Sequence, residues 1–453
     1  MSAKLENEYI DIVSSLSGDE EGRRKAWARM DRGFAKTRRG TDPISFLPTI
    51  FDRKELDYFI DCSKTIYGIM KKILEEYRTN PDFRKLYHID PRVEKLLLID
   101  TFSKESLPVC RLDAIYDEER GDFKFLEFNT DASGGMAECV ESYSAISLSE
   151  SFRQFSKRHS VKRYPEDLYR SLVRNFKEIY QESGLAVDEP HIAIAVLFDS
   201  PNAIVSELEK FIEYFEMEGI KASLFDVREL WCEDGILVGH KALSGKSNVK
   251  IDAIWRFCIV VDLIEHWAEV QGFIRALEEK KVVMIGSFLT QAVHDKQLFA
   301  LLQKEEVLKL LSAKEKDFIL SHIPYTAFID ELDNLSLQNK DRWILKPTDW
   351  YGSQKVYAGL DMSEREWEER LSECRKEKWH WLCQERVERC TKKALPLHGN
   401  EDEYTSSFVD VGNILGMYIY SGTFSGIYIR QGTGSIIGTA KGELASPVLW
   451  VEE

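Results

Sequence analysis

Arg111-Leu112-Asp113 and Glu127-Phe128-Asn129 are the two short stretches on which the reading of this chain turns. Their composition predicts two strands of one hairpin, joined by the solvated turn Asp117-Glu118-Glu119-Arg120-Gly121-Asp122. Successive strand side chains point to opposite faces, so Arg111, Asp113 and Ile115 share one side. On the second strand Phe125, Glu127 and Asn129 are expected on one side, with Leu126 and Phe128 on the other. A register that sets Asp113 opposite Glu127 also sets Arg111 opposite Asn129, with facing Cβ atoms about 4.5–5.5 Å apart. Such a cluster is costly without cations or anions to satisfy it. Its oxygens suit a magnesium ion that carries nucleotide phosphates, and the arginine is then free to meet a phosphoryl group. A hairpin with a charged, merely solvated face fits the same residues.

Working outward, the 453 residues are enough for a large core and two or three domains. Hydrophobic residues at 43% and charged residues at 30% are those of an ordinary soluble globular protein. The longest clear apolar run, Ile192 to Phe198, has the length of a buried strand and is too short to span a bilayer. Met1-Ser2-Ala3-Lys4-Leu5-Glu6-Asn7-Glu8 has no hydrophobic signal region, so a cytoplasmic location is expected and no membrane partner. The eight cysteines (Cys62, Cys110, Cys139, Cys232, Cys258, Cys374, Cys383, Cys390) are scattered without metal spacing and read as reduced, mostly buried thiols. A formal charge of −16 argues against nucleic acid as a partner and is compatible with a cationic substrate.

Three parts are expected. Residues 1–185 hold a helical layer, with apolar positions at helical spacing such as Ile66, Ile69, Met70 and Ile73, followed by the hairpin and a further helical stretch. Arg23-Arg24-Lys25 and Arg38-Arg39 read as solvated charge runs. Residues 186–292 change texture to strand, helix, strand: Ile192 to Phe198, the helix Ala203 to Glu218, Ala222 to Val227, then Ile254 to Phe257 and Val282 to Ile285. That pattern predicts an open, mostly parallel sheet with covering helices. Residues 293–453 form the third part.

The middle part carries no dinucleotide fingerprint, since Asp199-Ser200-Pro201-Asn202 after its first strand lacks the required glycines. Gly239-His240-Lys241-Ala242-Leu243-Ser244-Gly245-Lys246-Ser247 resembles a P-loop but has one residue too many and leads into a strand, so an exposed loop is the better reading.

A second constellation lies downstream. Trp343-Ile344-Leu345-Lys346-Pro347 is a short strand ending in a lysine, followed by the small-residue turn Thr348 to Gln354 and the expected strand Lys355 to Ala358. Such a unit covers phosphates with backbone amides while the ammonium offsets their charge. His294-Asp295-Lys296 opens a helix from Gln297, with His294 read as a helix-start residue. Trp381 to Arg386 is a strand whose polar end suits an adenine edge. The histidines show no nucleophile-elbow or triad signature.

The order of these elements resembles glutathionylspermidine synthase and its circularly permuted ATP-grasp relatives. The likeness covers roughly residues 105 to 445 and is strongest at Phe125-Leu126-Glu127-Phe128-Asn129-Thr130-Asp131 and Ile427-Tyr428-Ile429-Arg430. It implies an α+β / α/β fold: a circularly permuted ATP-grasp with an inserted Rossmann-like domain and an N-terminal helical layer. It further implies ATP and Mg2+ as cofactors, with Asp113, Glu127 and Asn129 holding the metal and Arg111 stabilising the transferring phosphoryl group. Lys296, Lys346, Gly352, Ser353 and Arg430 would meet the phosphates, Gln384 and Glu385 would lie near adenine, and Asp131 and Ser133 would face the substrate. The implied partners are a small-molecule or peptide carboxylate and an amine, joined as an amide through an acyl phosphate.

This chain departs from that pattern in two places. Where the family typically has an Arg-Glu-Gly-Ala-type lid, it reads Trp350-Tyr351-Gly352-Ser353-Gln354, and Ala132-Ser133-Gly134-Gly135-Met136 diverges on the substrate side. With no amidase-like segment ahead of the synthetase-like part, the resemblance does not by itself imply glutathione and spermidine as the substrates. The glycine-rich run Gly412 to Gly442 reads as twisted strands or tight hairpins. Two function classes follow: an ATP-dependent carboxylate-amine ligase, or a nucleotide-binding or assembly protein that kept the fold without turnover.

Overall fold

Val109–Asp117 and Asp122–Asn129 pair antiparallel, with Arg111 facing Asn129 and Asp113 facing Glu127. The computed structural model describes residues 2–452 apart from 38–39, 132, 164–167, 201–202, 204, 280–281, 334–336, 378–379, 399–406 and 439–440. The Arg38-Arg39 charge run therefore lies outside the described residues. The hairpin forms because Cys110, Leu112 and Ala114, alternating along the first strand, are fully buried against a common apolar core.

One detail differs from strict alternation. After the Asp113–Glu127 pair the register slips, and Ala114 faces Phe125, leaving Leu126 as an extra residue in a β-bulge. Phe125 consequently joins Phe128 in the core, while Leu126 lies beside Glu127 on the wall of a cleft. The bulge thus reverses the faces expected for these two residues.

The hairpin forms one edge of an eight-stranded sheet. Its neighbours inward are Val409–Tyr420, Thr423–Gly432, Leu444–Ser446, Ile44–Ser45 and Pro396–Leu397. Chain ends distant in sequence thus meet in one sheet. Residues 1–90 are accordingly more than a helical layer, since Ile44–Ser45 enters this sheet and Thr49–Asp52 pairs with Val448–Glu452. Strand pairing with a C-terminal partner leaves no local periodic signal in two-residue segments.

The helix Arg53–Thr79 backs the sheet. Asp52 and Glu55 form a reciprocal capping box at its start, and Leu56, Phe59, Ile66, Ile69, Met70, Ile73 and Tyr77 recur at helical spacing on its buried face. They pack with Leu112, Phe128, Leu415, Met417, Ile427 and Ile429 of the sheet. The opposite sheet face is left to Arg111, Asp113, Tyr418, Tyr428 and Arg430.

The middle part is an all-parallel four-stranded sheet, in the order Val283–Ile285, Ala253–Arg256, His191–Val196, Lys221–Asp226. Its covering helices include Val205–Met217 and Gln271–Glu278. The P-loop-like segment is a loop only at Ala242 to Lys246, since Gly239 to Lys241 end the strand Ile236–Lys241 and Ser247 begins the strand Ser247–Lys250. Residues after 320 add a four-stranded antiparallel sheet in the order Thr326–Phe328, Trp381–Glu385, Trp343–Pro347, Tyr357–Ala358. The last strand is shorter than the expected Lys355 to Ala358, because Lys355 has a left-handed φ of 54° that ends the extended run. All eight cysteines are free, and no helix among the described residues is long and apolar enough to cross a membrane.

Arg256 fastens the parallel sheet to the hairpin. Its side chain is fully buried and its Nη1 meets Asp131 Oδ2 at 3.1 Å, just beyond the second hairpin strand. Remaining donors reach the carbonyls of Gly286, Cys258 and Ser287 and the Thr290 hydroxyl, with the guanidinium over the Phe288 ring at 5.0 Å. Removing one partner of such a pair leaves an uncompensated buried charge. Arg256→Ala should cost about 3–5 kcal/mol in urea unfolding, and Asp131→Ala added to it should restore part of that loss. Additive losses would show that the pair carries no coupling.

Candidate functional site

Asp113 is the centre of the polar sheet face. Its carboxylate is 1% exposed and both oxygens are engaged. Arg111 grips it in a fork, Nε to Oδ1 at 2.8 Å and Nη2 to Oδ2 at 3.0 Å, while the Asn129 amide donates to Oδ2 at 3.1 Å and Arg430 Nη2 donates to the same oxygen. Arg111 also donates to Gly134 O at 2.7 Å, and the Tyr418 hydroxyl donates to that same carbonyl at 2.7 Å. The two guanidiniums flank the Tyr428 ring, each 5.9 Å from its centroid.

This crowding explains one glycine of the run Gly412 to Gly442, where a close backbone approach is expected. Gly416 pairs with Asp113 on the next strand, and a Cβ there would lie 2.8 Å from Arg111 Cδ and 3.0 Å from Asp113 Oδ1. Gly135 has φ 98°, and a Cβ on it would lie 2.7 Å from the Tyr428 ring. The diverged Gly134-Gly135 turn therefore seats Arg111. Glu207, missed in the sequence reading, is fully buried and accepts from the Ala137 N–H at 2.9 Å at the start of helix Met136–Ile146. Burial pushes its carboxyl up to about 7 in spite of these backbone donors.

Both expected lysines converge on Glu127. Lys296 Nζ lies 3.6 Å from Glu127 Oε2 and donates to Trp350 O at 2.6 Å. Lys346 Nζ donates to the carbonyl of the bulge residue Leu126 at 3.1 Å. Burial alone would raise the Glu127 carboxyl, but Lys296, Arg430 and Lys346 together hold it well below the usual carboxylate range. Burial, reinforced by Lys296 and opposed by Glu127, pushes the Lys346 ammonium down to about 8.

The loop 348–356 spans this cluster. Gly352, Ser353 and Lys355 adopt left-handed φ values of 62°, 58° and 54°. Tyr351 donates to Asp262 Oδ1 at 3.3 Å on the parallel-sheet side, and Ser353 donates to Ile437 O at 3.2 Å on the other. Lys355 Nζ sits 4.6 Å from the Trp350 ring centroid. Burial, with repulsion from Asp295, pushes Asp349 up to about 6.

Two chambers meet here. A cleft of about 100 Å³ runs between the antiparallel sheet and the hairpin and is lined by Lys296, Lys346, Gln384, Glu385, Ile414 and Ile437. A chamber of about 370 Å³ lies on the other side, against Arg111, Asn129, Asp131, Glu138, Gln291 and His294. Glu127, Trp350, Ser353 and Arg430 line both. A larger groove of about 540 Å³ elsewhere is basic, but Arg53, Lys162 and Arg174 there already pair with Asp57, Glu452 and Glu218 at 2.9, 3.0 and 3.3 Å.

The structure thus brings Arg111, Asp113, Glu127, Asn129, Lys296, Lys346 and Arg430 into one cluster, with Gly352 and Ser353 on the covering loop. Gln384 is buried in the cleft and donates to the Thr326 hydroxyl at 3.1 Å, while Glu385 at the rim pairs with Arg342 at 3.2 Å. Asp131 reaches the larger chamber, but one of its oxygens is committed to Arg256. Ser133 donates to Asn129 O at 2.9 Å and acts on the hairpin end. His294 ends the short helix Gln291–His294 rather than opening the next one, and its ring faces Asp131.

As a test of metal fit, the described residues contain no cluster of three His, Cys, Asp or Glu side chains placed to hold an ion. Asp113, expected as a ligand, is saturated by guanidinium and amide donors. Glu127 and the Asn129 Oδ1, its amide nitrogen being turned to Asp113, are the oxygens of the expected set that could hold an ion. Two protein oxygens completed by phosphates and water are a normal donor set for Mg2+.

No protein-family model matches this chain, and no curated protein matches it. Solved structures do. The chain is similar to a glutathione synthetase-like effector (GSS30) from Globodera pallida in its apo form, with TM-score 0.60 and 14% identity over 95% of this chain and 96% of that one. A looser match, TM-score 0.41 and 10% identity over 85% and 86% of the two chains, is to a candidate gamma-glutamylcysteine synthetase from Methylobacillus flagellatus KT. The first likeness is one of fold: this chain shares the mixed α and β architecture of a glutathione synthetase-like protein along nearly its whole length.

Proposed function

We propose that this chain is an ATP-dependent carboxylate-amine ligase of circularly permuted ATP-grasp type, in which the carboxylate-bearing hairpin precedes the two lysines. The observation that carries the reading is the junction of two chambers at Glu127 and Arg430. A nucleotide in the smaller cleft and a carboxylate in the larger chamber would have their reacting ends side by side there.

The chemistry follows from the residues at the junction. A substrate carboxylate oxygen attacks the γ-phosphorus of ATP, the bond to the β,γ-bridging oxygen breaks, and ADP leaves. An amine then attacks the acyl carbon of the acyl phosphate, phosphate departs, and the amine loses a proton to give the amide. No protein nucleophile is needed. Lys296, Lys346 and Arg430 offset phosphate charge, and Arg111, rigid in its fork on Asp113, is aimed at the charge that develops during transfer. Glu127 and Asn129 would hold Mg2+, which neutralises phosphate oxygens when bound. The loop 348–356 would exclude water from the acyl phosphate.

The larger chamber supports an amine as second substrate. It is lined by the carboxyl groups of Asp42, Glu138, Asp349 and Glu443, besides Glu127 and Asp131, whose charges Lys296 and Arg256 offset, and by Arg111 and Arg430. A cation is favoured wherever the carboxylates outnumber the guanidiniums.

Magnesium-dependent ADP release, measured with a panel of carboxylates and amines, tests the proposal. Release should require one acid and one amine. Glu127→Gln should abolish it with the fold intact, and Arg111→Ala should lower kcat about 100-fold or more, the scale for loss of one preorganised donor. ATP binding without release under every pairing would favour a nucleotide-binding protein without turnover.

Lys346 gives a pH signature. Phosphates favour its charged form, which the free protein loses as pH rises through about 8. ATP affinity should therefore be flat at lower pH and fall by up to tenfold per unit above about 8, the limit for one proton taken up on binding. Lys346→Ala should bind ATP weakly and lack this fall; a fall that persists in the variant assigns it to another group.

A further inference from the structure

The larger chamber has a wall that phosphoryl transfer leaves unused. Gln291 opens the short helix Gln291–His294, is 2% exposed and lines the chamber, yet neither Oε1 nor Nε2 of its amide has a hydrogen-bond partner. Leaving buried polar groups unmade is expensive, and this segment satisfies its neighbour fully. Thr290 Oγ1 donates to Ser287 O at 3.0 Å and accepts from Arg256 Nη2 at 3.1 Å.

Gln291 is not alone on this wall. Three positions along the helix, His294 accepts at Nδ1 from the Thr130 N–H at 3.3 Å and faces Asp131 Oδ1 at 3.2 Å. That carboxylate oxygen also lacks a hydrogen-bond partner. The charge of Asp131 is neutralised by Arg256, with the two side chains 1% and 0% exposed. The wall therefore holds one amide donor group and two acceptor oxygens, each nearly closed to water in the ligand-free protein, with little net charge. A cation finds nothing here that the carboxylates elsewhere in the chamber do not offer better. A neutral group carrying an N–H beside a C=O matches the wall at two points: its N–H to Gln291 Oε1, and Gln291 Nε2 to its carbonyl.

We propose that Gln291 is a specificity-determining residue that reads a neutral amide, a peptide unit or carboxamide, in the molecule occupying the larger chamber. Calling that molecule a substrate rests on the ligase reading; the recognition itself does not. A site built to pair an amide rejects analogues that leave its polar groups unpaired.

The test uses Gln291→Leu and Gln291→Glu with three probes: N-acetylglycinamide, its ester-linked isostere, and methylammonium. In ligand-free protein Gln291→Leu should raise the melting temperature, because it removes two unsatisfied buried groups; a lowered one would mean the amide is held for structure and overturn the proposal. Saturation-transfer NMR should show N-acetylglycinamide bound by wild type at least tenfold more tightly than the ester isostere, and at least tenfold more tightly than by Gln291→Leu. Gln291→Glu should bind methylammonium better and the amide worse. Methylammonium preferred by wild type, or equal binding of amide and ester, or no binding of the amide, overturns it. ATP affinity in the nucleotide cleft, which Gln291 does not line, reports that each variant is folded. Failure of turnover with amide binding intact sinks only the ligase reading.

Discussion

Asp113 places one buried carboxylate between two guanidiniums, from Arg111 two residues away on its own strand and from Arg430, 317 residues away in sequence. A carboxylate in that position is tolerable only because it is saturated with charge-assisted hydrogen bonds, and each arginine is tolerable only because of it. The rest of the site depends on this trio. It keeps two cations rigid beside the junction of the two chambers, with a net positive charge. It requires a glycine at 416, where the Arg111 stem crosses the neighbouring strand, and the Gly134 carbonyl to hold the far end of that guanidinium.

The backing helix Arg53–Thr79 makes this arrangement affordable in structural terms, because it consumes the apolar face of the sheet and leaves the other face to charge. The bulge at Leu126 then sets a local detail with a long reach. By slipping the register it sends Phe125 into the core beside Phe128 and presents Leu126 O to Lys346 Nζ. A continuous ladder would put the Phe125 ring in the cleft. The loop above is held by Lys296 to Trp350 O and Thr348 O, Thr348 to His380 O, Tyr351 to Asp262, Ser353 to Ile437 and Lys355 to Glu377, and it carries left-handed residues that cost energy unless the surroundings hold them.

How much was legible in advance depended on range. The hairpin, its facing pairs and the parallel sheet were legible because each strand carries its own alternation or apolar run over several residues. Lys296 and Lys346 were legible as helix-start and strand-end lysines, yet nothing local said that one would reach Glu127 and the other the neighbouring Leu126 carbonyl. The N-terminal strands Ile44–Ser45 and Thr49–Asp52 were not legible, since their partners lie near residue 445 and beyond. Nor was the role of Arg256, which reads in sequence as one residue of a buried strand and in the fold locks Asp131.

The sequence by itself determined which chemistry was within reach: the arginines, carboxylates, amide and lysines, their order along the chain, and the side of each strand on which they start. Those properties are set by residue type and by the two-residue period of a strand, which are local. Only the tertiary structure decided that Asp113 would serve the arginines rather than stand open to a metal, that Phe125 and Leu126 would exchange faces, and that Gln291 would be buried without partners against a chamber. Each of these follows from long-range pairing and desolvation, whose energies depend on which groups are brought together and not on the neighbours in sequence.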